Sequence, residues 1–163
     1  KGYLHNTAHI WFYTNTGEIL LAQRAATKTI CPLLWDVSVA GHVDAGETIE
    51  QAAIRETKEE IGLTITEENL EKIGVFPSFQ TYKNGIIDNE FHHTYIAKLT
   101  VAIATLNFQK KEVENLKLVS ISEFKKLLNK SQTNNHFVST NKKVYQLILQ
   151  AILEKTTPSI KNN

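Results

Sequence analysis

The chain has 163 residues, of which 42% are hydrophobic and 21% charged, as expected for one globular domain of ordinary size. Its 18 Lys and Arg residues nearly balance its 17 Asp and Glu residues, which excludes nucleic-acid binding through bulk positive charge. No apolar run is long enough for a transmembrane helix, and the single Cys31 excludes an internal disulfide and a cysteine-based zinc cluster.

The N-terminal part of the chain predicts β-structure. Residues 8–13 are bulky and mostly apolar, and Asn15-Thr16-Gly17 supplies a turn before a second apolar arm, so residues 8–24 are predicted to form a β-hairpin. Residues 35–39 alternate well enough for a further strand, which runs into Gly41.

A helix is predicted next. The pattern from Thr48 to Ile61 is helical, Thr48 is suited to cap the N-terminus, and Gly62 stands where a C-terminal cap belongs. Beyond this helix, residues 73–76 and 91–97 are predicted strands, joined across a loop that contains Asn84-Gly85.

The C-terminal part predicts a strand at 116–119 and two helices, at 121–128 and 141–153. In the last helix one apolar stripe is predicted to face the core, and it consists of Val144, Leu147, Ile148 and Ile152. Without an internal repeat or a linker, residues 1–155 are predicted to form a single α+β domain, followed by a polar, frayed tail at 156–163.

Three carboxylates share one face of the predicted helix. At about 100° per residue, Glu56, Glu59 and Glu60 fall within an arc of about 100°. Such crowding costs about 0.2–0.5 kcal/mol per like-charged pair, whereas hard divalent cations such as Mg²⁺ are commonly held by carboxylates. The alternative is a solvated surface on which Arg55 pairs with Glu59.

The composite pattern of residues 41–63 decides between these interpretations. It resembles the signature of the Nudix hydrolase family, G-x5-E-x7-R-E-U-x-E-E-x-G-U, where U is a bulky apolar residue. The residues that match at the required spacing are Gly41, Glu47, Arg55, Glu56, Glu59, Glu60, Gly62 and Leu63. One position departs mildly, since Thr57 stands where an aliphatic residue is expected.

The resemblance implies a Nudix fold, an α/β/α sandwich with a mixed β-sheet, and hydrolysis of a nucleoside diphosphate linked to another moiety. It implies that Glu56, Glu59 and Glu60 ligate Mg²⁺ or Mn²⁺, that Arg55 orients them, and that Glu47 supports the loop or a further metal. The chemistry is consistent, because such ions neutralise the anionic diphosphate and lower the pKa of bound water, whose proton an unpaired carboxylate accepts. Which glutamate is that base stays open.

A closer resemblance, to the isopentenyl-diphosphate isomerase branch of the superfamily, extends outside the signature. The segments that carry it are Leu4-His5, Gln23-Arg24-Ala25, Pro32, Leu34-Trp35, Ser38-Val39, Gly41-His42 and Asp88-Asn89-Glu90. The isomerase uses a cysteine just before the Gly-His pair, where this chain has Ala40, a residue with no titratable group. Hydrolysis is therefore favoured, with an isomerase and a non-catalytic diphosphate-binding module as the alternatives.

Further metal ligands are suggested by the same resemblance. His5, His42 and Glu90 match positions of the isomerase's metal site, and imidazole with carboxylate suits Zn²⁺ or Mn²⁺. Glu90 precedes a predicted strand, in a region from which Nudix enzymes often draw a metal ligand or base. Glu112 stands where many members carry another such glutamate, and its alternative is a solvated loop charge.

The other histidines are assigned structural roles. His92 and His93 are neighbours on a predicted strand, so their side chains are expected on opposite faces, and His9 matches no family position. The expected partner is a small-molecule diphosphate, with no membrane and no nucleic acid. Since no signal peptide is recognisable, a cytoplasmic location is expected, and a homodimer is compatible with the sequence.

Overall fold

The structure, a computed structural model, describes residues 3–130 and 142–157. Within these residues the chain forms seven β-strands and three α-helices. In chain order they are β1 (Leu4–Tyr13), β2 (Glu18–Arg24), β3 (Trp35–Asp36), β4 (Val39–His42), α1 (Ile49–Ile61), β5 (Glu71–Thr81), β6 (Ile87–Lys98), β7 (Val113–Ser120), α2 (Ile121–Lys130) and α3 (Lys142–Thr156).

The strands form one mixed sheet in the order β3-β2-β1-β6-β5, in which β4 also pairs with β1 and β7 with β2. Strands β1 and β6 are parallel along the whole of β1, and the other pairs are antiparallel. One core cluster packs β-strand residues against Ala52 and Ala53 of α1, and a second packs them against α2 and α3. The predicted α+β class and α/β/α sandwich are therefore confirmed.

The predicted hairpin is only partly paired, because β1 and β2 share a single registered pair, Tyr13 with Ile19, and then diverge. Buried Ser38 fills the gap. Its hydroxyl accepts the N–H of Phe12 at 2.9 Å and donates to the carbonyl of Leu20 at 2.5 Å. The strand predicted at 35–39 is consequently two short strands, β3 on β2 and β4 on β1.

Helix α1 begins and ends as predicted. The hydroxyl of Thr48 accepts the backbone N–H of Gln51 at 3.1 Å, and the side-chain oxygen of Gln51 accepts the N–H of Thr48 at 2.9 Å. This reciprocal cap satisfies two donors that the first turn leaves unpaired. Gly62 ends the helix with φ 71°, a left-handed conformation that glycine adopts without strain.

Two predicted elements differ from the structure in extent. The strands predicted at 73–76 and 91–97 are longer, so Glu90 lies inside β6 rather than before it. The reason is that the turn at Asn84-Gly85 is tight: the N–H of Tyr82 donates to the carbonyl of Ile86 at 2.8 Å, which keeps both strands paired up to the turn.

The apolar stripe of α3 is rotated from the predicted one. Leu147 is 52% exposed, and the buried residues recur at the helical spacing of three and four, as Tyr145, Ile148, Leu149 and Ile152. The ring of Tyr145 decides the rotation, since it packs edge-on against Trp11 and Phe124.

The C-terminal boundary also differs slightly, because α3 continues to Thr156, where the tail was predicted to begin. Asn141 and residues 158–163 of the predicted helix and tail lie outside the described residues. Among the helices of the described chain, none has the length and apolar character needed to cross a bilayer.

Replacing Ser38 by alanine is expected to destabilise the fold by about 1–3 kcal/mol, because a buried donor and a buried acceptor both lose their partner. Urea unfolding followed by circular dichroism measures the change. Ser78→Ala, on the partly exposed edge strand β5, is the matched control and should cost less than about 0.5 kcal/mol. Equal effects of the two substitutions would contradict the bridging role of Ser38.

Candidate active site and metal centre

A cleft of about 500 Å³ opens where β1 and β2 diverge. Carboxylates of α1 line it together with imidazoles from β1, β4 and β6, and the cations Arg24 and Lys28 lie at its β2 side. Such a volume is typical of small-molecule sites. Most residues singled out from the sequence therefore meet in one place.

Arg55 connects the loop after β4 to helix α1. Its Nε and Nη2 atoms donate to the two carboxylate oxygens of Glu47 at 2.9 and 2.7 Å, a bidentate pair. Nη1 donates to Glu56 at 2.8 Å and to Glu59 at 3.2 Å, and Nη2 also reaches the carbonyl of His42 at 3.0 Å. One guanidinium thus holds three carboxylates of the predicted site in place.

The contacts between Arg55 and Glu47 determine the charge state of both side chains. Hydrogen bonds from Arg55 and from the backbone N–H of Asp44 lower the pKa of Glu47 to about 2. The hydrogen bond to Glu47 raises the pKa of Arg55 in turn. Glu47 is therefore a fixed anion that anchors Arg55, rather than a carboxylate left free for a ligand.

Gly41 allows Glu56 to approach the backbone of β4. A Cβ atom on Gly41 would lie 2.2 Å from Cδ of Glu56, far inside contact distance, so only glycine leaves room for this carboxylate. Gly62 has a different role, because it carries a positive φ and a Cβ there would lie 2.7 Å from the carbonyl oxygen of Asn107. The two glycines of the signature thus serve the site and the helix end, respectively.

Glu60 is the most buried carboxylate of the cluster, with 8% of its surface exposed. The backbone N–H of Ala40 donates to one of its oxygens at 3.4 Å. Burial and the nearby charge of Glu56 raise the pKa of Glu60 well above its usual range, and burial also raises that of Glu56. A buried carboxylate with so little compensation is a position that a cation would stabilise.

The donor set suits a hard divalent cation. Glu56, Glu59 and Glu60 offer carboxylate oxygens on one helix face, and Arg55 balances only part of their charge. Magnesium and manganese ions prefer oxygen ligands of this kind. The residues present therefore fit the Mg²⁺ or Mn²⁺ that the sequence predicts.

Glu112 reaches the same cleft from the segment before β7. It pairs with Lys28, and its charge contributes to the raised pKa values of Glu56 and Glu60. The N–H of Gln109 donates to the carbonyl of Glu60 at 2.9 Å, which attaches this segment to the end of α1. The structure thus places Glu112 beside the carboxylate cluster.

Glu90 stands in a second group, formed by imidazoles. One of its oxygens lies 2.8 Å from Nε2 of His92 and the other 3.4 Å from Nε2 of His42. The rings of His9 and His92 stack with centroids 4.0 Å apart. His5 is opposite Glu90 in the register of β1 and β6, and its ring packs edge-on against that of His42, with centroids 5.6 Å apart.

Sequence reasoning missed His9 and His92 as members of this group. The pairing of β1 with β6 brings them together, since Thr7 is opposite His92 and His9 is opposite Thr94, which places both imidazoles on one face. Alternation along each strand was visible in the sequence, but the register between two distant strands was not. His93 lies on the opposite face, as predicted, with Nε2 at 3.0 Å from Asn6.

Burial and hydrogen bonds set the charges in this group. Burial raises the pKa of Glu90, but hydrogen bonds from His42 and His92 outweigh it and hold the pKa below its usual range. The hydrogen bond to Glu90 raises the pKa of His42, whereas burial and the neighbouring His92 lower that of His9 to about 3. Glu90 is thus an anion, and His9 is a neutral imidazole.

Comparisons with known proteins identify the family to which the chain is similar. The model of the NUDIX domain family matches residues 3–140. The chain is 35% identical over 133 residues to Nudix hydrolase 3 of Arabidopsis thaliana, a match that covers 79% of this chain but only 17% of that protein. It is 33% identical over 129 residues to isopentenyl-diphosphate Delta-isomerase 2 of Photorhabdus laumondii, covering 79% and 70% of the two chains.

Solved structures show the same fold at lower identity. The dihydroneopterin triphosphate pyrophosphohydrolase of E. coli superposes with a TM-score of 0.65 at 21% identity, over 94% of this chain and 99% of that one. The mixed sheet between helices is therefore shared well beyond the segment of residues 41–63.

Gly41→Ala and Gly62→Ala are expected to affect different properties: the first weakens metal binding, and the second lowers the stability of the fold. The new methyl group at Gly41 meets a flexible side chain, so the fold should survive while Glu56 is displaced and Mn²⁺ binding weakens at least about tenfold. At Gly62 the left-handed backbone alone should cost about 1–2 kcal/mol of stability, and the clash with the carbonyl oxygen of Asn107 adds to this cost. Urea unfolding and calorimetric titration with Mn²⁺ measure both quantities, and a Gly41→Ala variant that binds Mn²⁺ normally would contradict the assignment.

Proposed function

The chain belongs to the Nudix family, and we propose that it is a divalent-metal-dependent hydrolase of small organic diphosphates. The bond cleaved is a diphosphate linkage, in a nucleoside diphosphate derivative or a related compound, and water attacks phosphorus. The observation that carries this proposal is the buried carboxylate of Glu60 beside Glu56, whose burial the backbone N–H of Ala40 and the charge of Lys28 compensate only in part.

Each side chain has a definite part in the proposed reaction. Glu56, Glu59 and Glu60 hold Mg²⁺ or Mn²⁺, and Arg55, fixed by Glu47, keeps two of these carboxylates in place. When bound, such an ion neutralises diphosphate charge and lowers the pKa of a bound water. This division explains why Arg55 bonds to carboxylates of the protein.

Glu112 is our candidate for the general base. It reaches the cleft on a segment separate from α1, so it can accept a proton without being one of the helix's ligands. Its pairing with Lys28 holds it at the cleft in the absence of substrate. A general base typically contributes about 10²–10⁴-fold to a rate, so the metal and the positioning groups must supply the rest.

Cations for the anionic substrate come from the β2 side of the cleft. Arg24 donates from Nε to the carbonyl of Ile30 at 2.9 Å and lies 3.5 Å from a carboxylate oxygen of Asp36, so its guanidinium is held at the wall of the cleft. Lys28 lines the same cleft. We propose that both side chains face the phosphates of the bound substrate.

Isomerisation of isopentenyl diphosphate is the second candidate, because one relative of this chain is named as such an isomerase. Against it, Ala40 presents only a backbone N–H toward Glu60 at the position where the isomerase resemblance calls for a cysteine. A non-catalytic diphosphate-binding module is the third candidate, and it leaves the charge crowding on α1 without a use.

Glu60→Gln and Glu56→Gln are expected to lower kcat by at least about 10²-fold without unfolding the protein, since each removes a ligand charge but keeps the shape of the side chain. Glu68→Gln, an exposed carboxylate in the turn after α1, is the matched control and should leave kcat unchanged. Near wild-type turnover by both cluster variants would overturn the proposal.

The substrate class is tested by incubating the protein with nucleotide and non-nucleotide diphosphates, with Mg²⁺ or Mn²⁺, and measuring released phosphate and monophosphate. Isopentenyl diphosphate in deuterated water separates the candidates. Hydrolysis releases phosphate, isomerisation places solvent deuterium on carbon, and a binding module retains the diphosphate without product.

A further inference from the structure

We propose that His9, Glu90 and His92 form a second divalent-cation site, separate from the carboxylates of α1 and suited to a transition-metal ion such as Zn²⁺ rather than Mg²⁺. One ligand atom from each of the three side chains lies within 4.8 Å of the other two. Two imidazole nitrogens and one carboxylate oxygen are a common set of ligands for such ions.

The supporting structure is rigid. His9 lies on β1, and Glu90 and His92 lie two residues apart on β6, so all three project from the same face of a parallel strand pair in the middle of the sheet. All three are partly buried. Sites carried by paired strands are held more precisely than sites on loops, which favours binding without rearrangement of the backbone.

The contacts among the three side chains suit ligation of a single ion. Nε2 of His92 lies 2.8 Å from a carboxylate oxygen of Glu90, and the rings of His9 and His92 stack with centroids 4.0 Å apart. Because imidazole binds a metal through a deprotonated nitrogen, an ion bound here would replace the proton that His92 and Glu90 share.

His42 orients the carboxylate from outside the proposed ligand set. It lies 3.4 Å from one carboxylate oxygen of Glu90, while His92 contacts the other at 2.8 Å. Groups that hydrogen-bond a ligating carboxylate fix its direction and commonly alter metal affinity about 10–100-fold. His42 is thus a positioning residue in this proposal.

The ligand set of His9, Glu90 and His92 differs from the two metal sites that the sequence resemblance implies. It shares Glu90 with the trio of His5, His42 and Glu90. His5 is opposite Glu90 in the register of β1 and β6, but its ring is not one of the three groups whose ligand atoms lie within 4.8 Å of one another. It also differs from the all-oxygen carboxylate cluster of α1, which Mg²⁺ would prefer. Nitrogen ligands favour the later first-row ions over Mg²⁺, so the two sites should be separable by the choice of metal.

The experiment titrates the metal-free protein with Zn²⁺ in the presence of excess Mg²⁺, by calorimetry, and with Co²⁺, whose visible absorption reports imidazole ligation. His9→Gln and His92→Gln each remove one proposed ligand. The matched control is His93→Gln, which changes the neighbouring imidazole on the opposite face of the same strand. Glu56→Gln removes a carboxylate of α1, and circular dichroism checks the fold of each variant.

Wild type, His93→Gln and Glu56→Gln are expected to bind a single Zn²⁺ with equal affinity, and His9→Gln and His92→Gln at least about tenfold more weakly. Unchanged affinity in both ligand variants would overturn the proposal, as would loss of Zn²⁺ binding in Glu56→Gln. If one ligand variant fails to fold, the other gives the same test. Because no substrate is present, the result does not depend on whether the protein hydrolyses diphosphates.

Discussion

The candidate site depends on one guanidinium, that of Arg55. Its bidentate bond to Glu47 attaches the loop after β4 to α1, and its remaining nitrogen donates to Glu56 and Glu59. Without this cation, four carboxylates would repel one another across a half-buried space. The arginine therefore allows the acidic cluster to exist and also determines the direction in which Glu56 points.

The cluster nevertheless retains more negative charge than the protein neutralises. Glu60 is buried beside Glu56, and Glu112 approaches from another segment. Such an arrangement lowers the stability of the protein by itself and becomes favourable when a cation is bound, which is the usual compromise at a functional site. The electrostatic repulsion is confined to the charged side chains. Helix α1, which carries them, is capped at both ends and packs against the core through Ala52 and Ala53.

The split of the sheet at Ser38 determines what the cleft contains. Residues of β1 alternate between the core under α1, which holds Ala8 and Ile10, and the core under α3, which holds Trp11. His9 shares the face of Trp11, yet it lines the same cleft as Glu56 of α1. Because β1 and β2 diverge, side chains from both faces of the sheet meet there, which explains how imidazoles and helix carboxylates come to share one cavity.

The sequence by itself determined α1, its caps and the face that carries Glu56, Glu59 and Glu60, because helix periodicity and capping act within a few residues. The sequence also determined the class of fold, because the spacing of the residues in segment 41–63 matches the signature of the family. Tertiary structure alone decided that Ser38 divides a predicted strand, that Tyr145 rotates α3, and that His9 and His92 join Glu90. These features rest on strand register and ring packing between residues far apart in the chain, and no local pattern encodes such contacts.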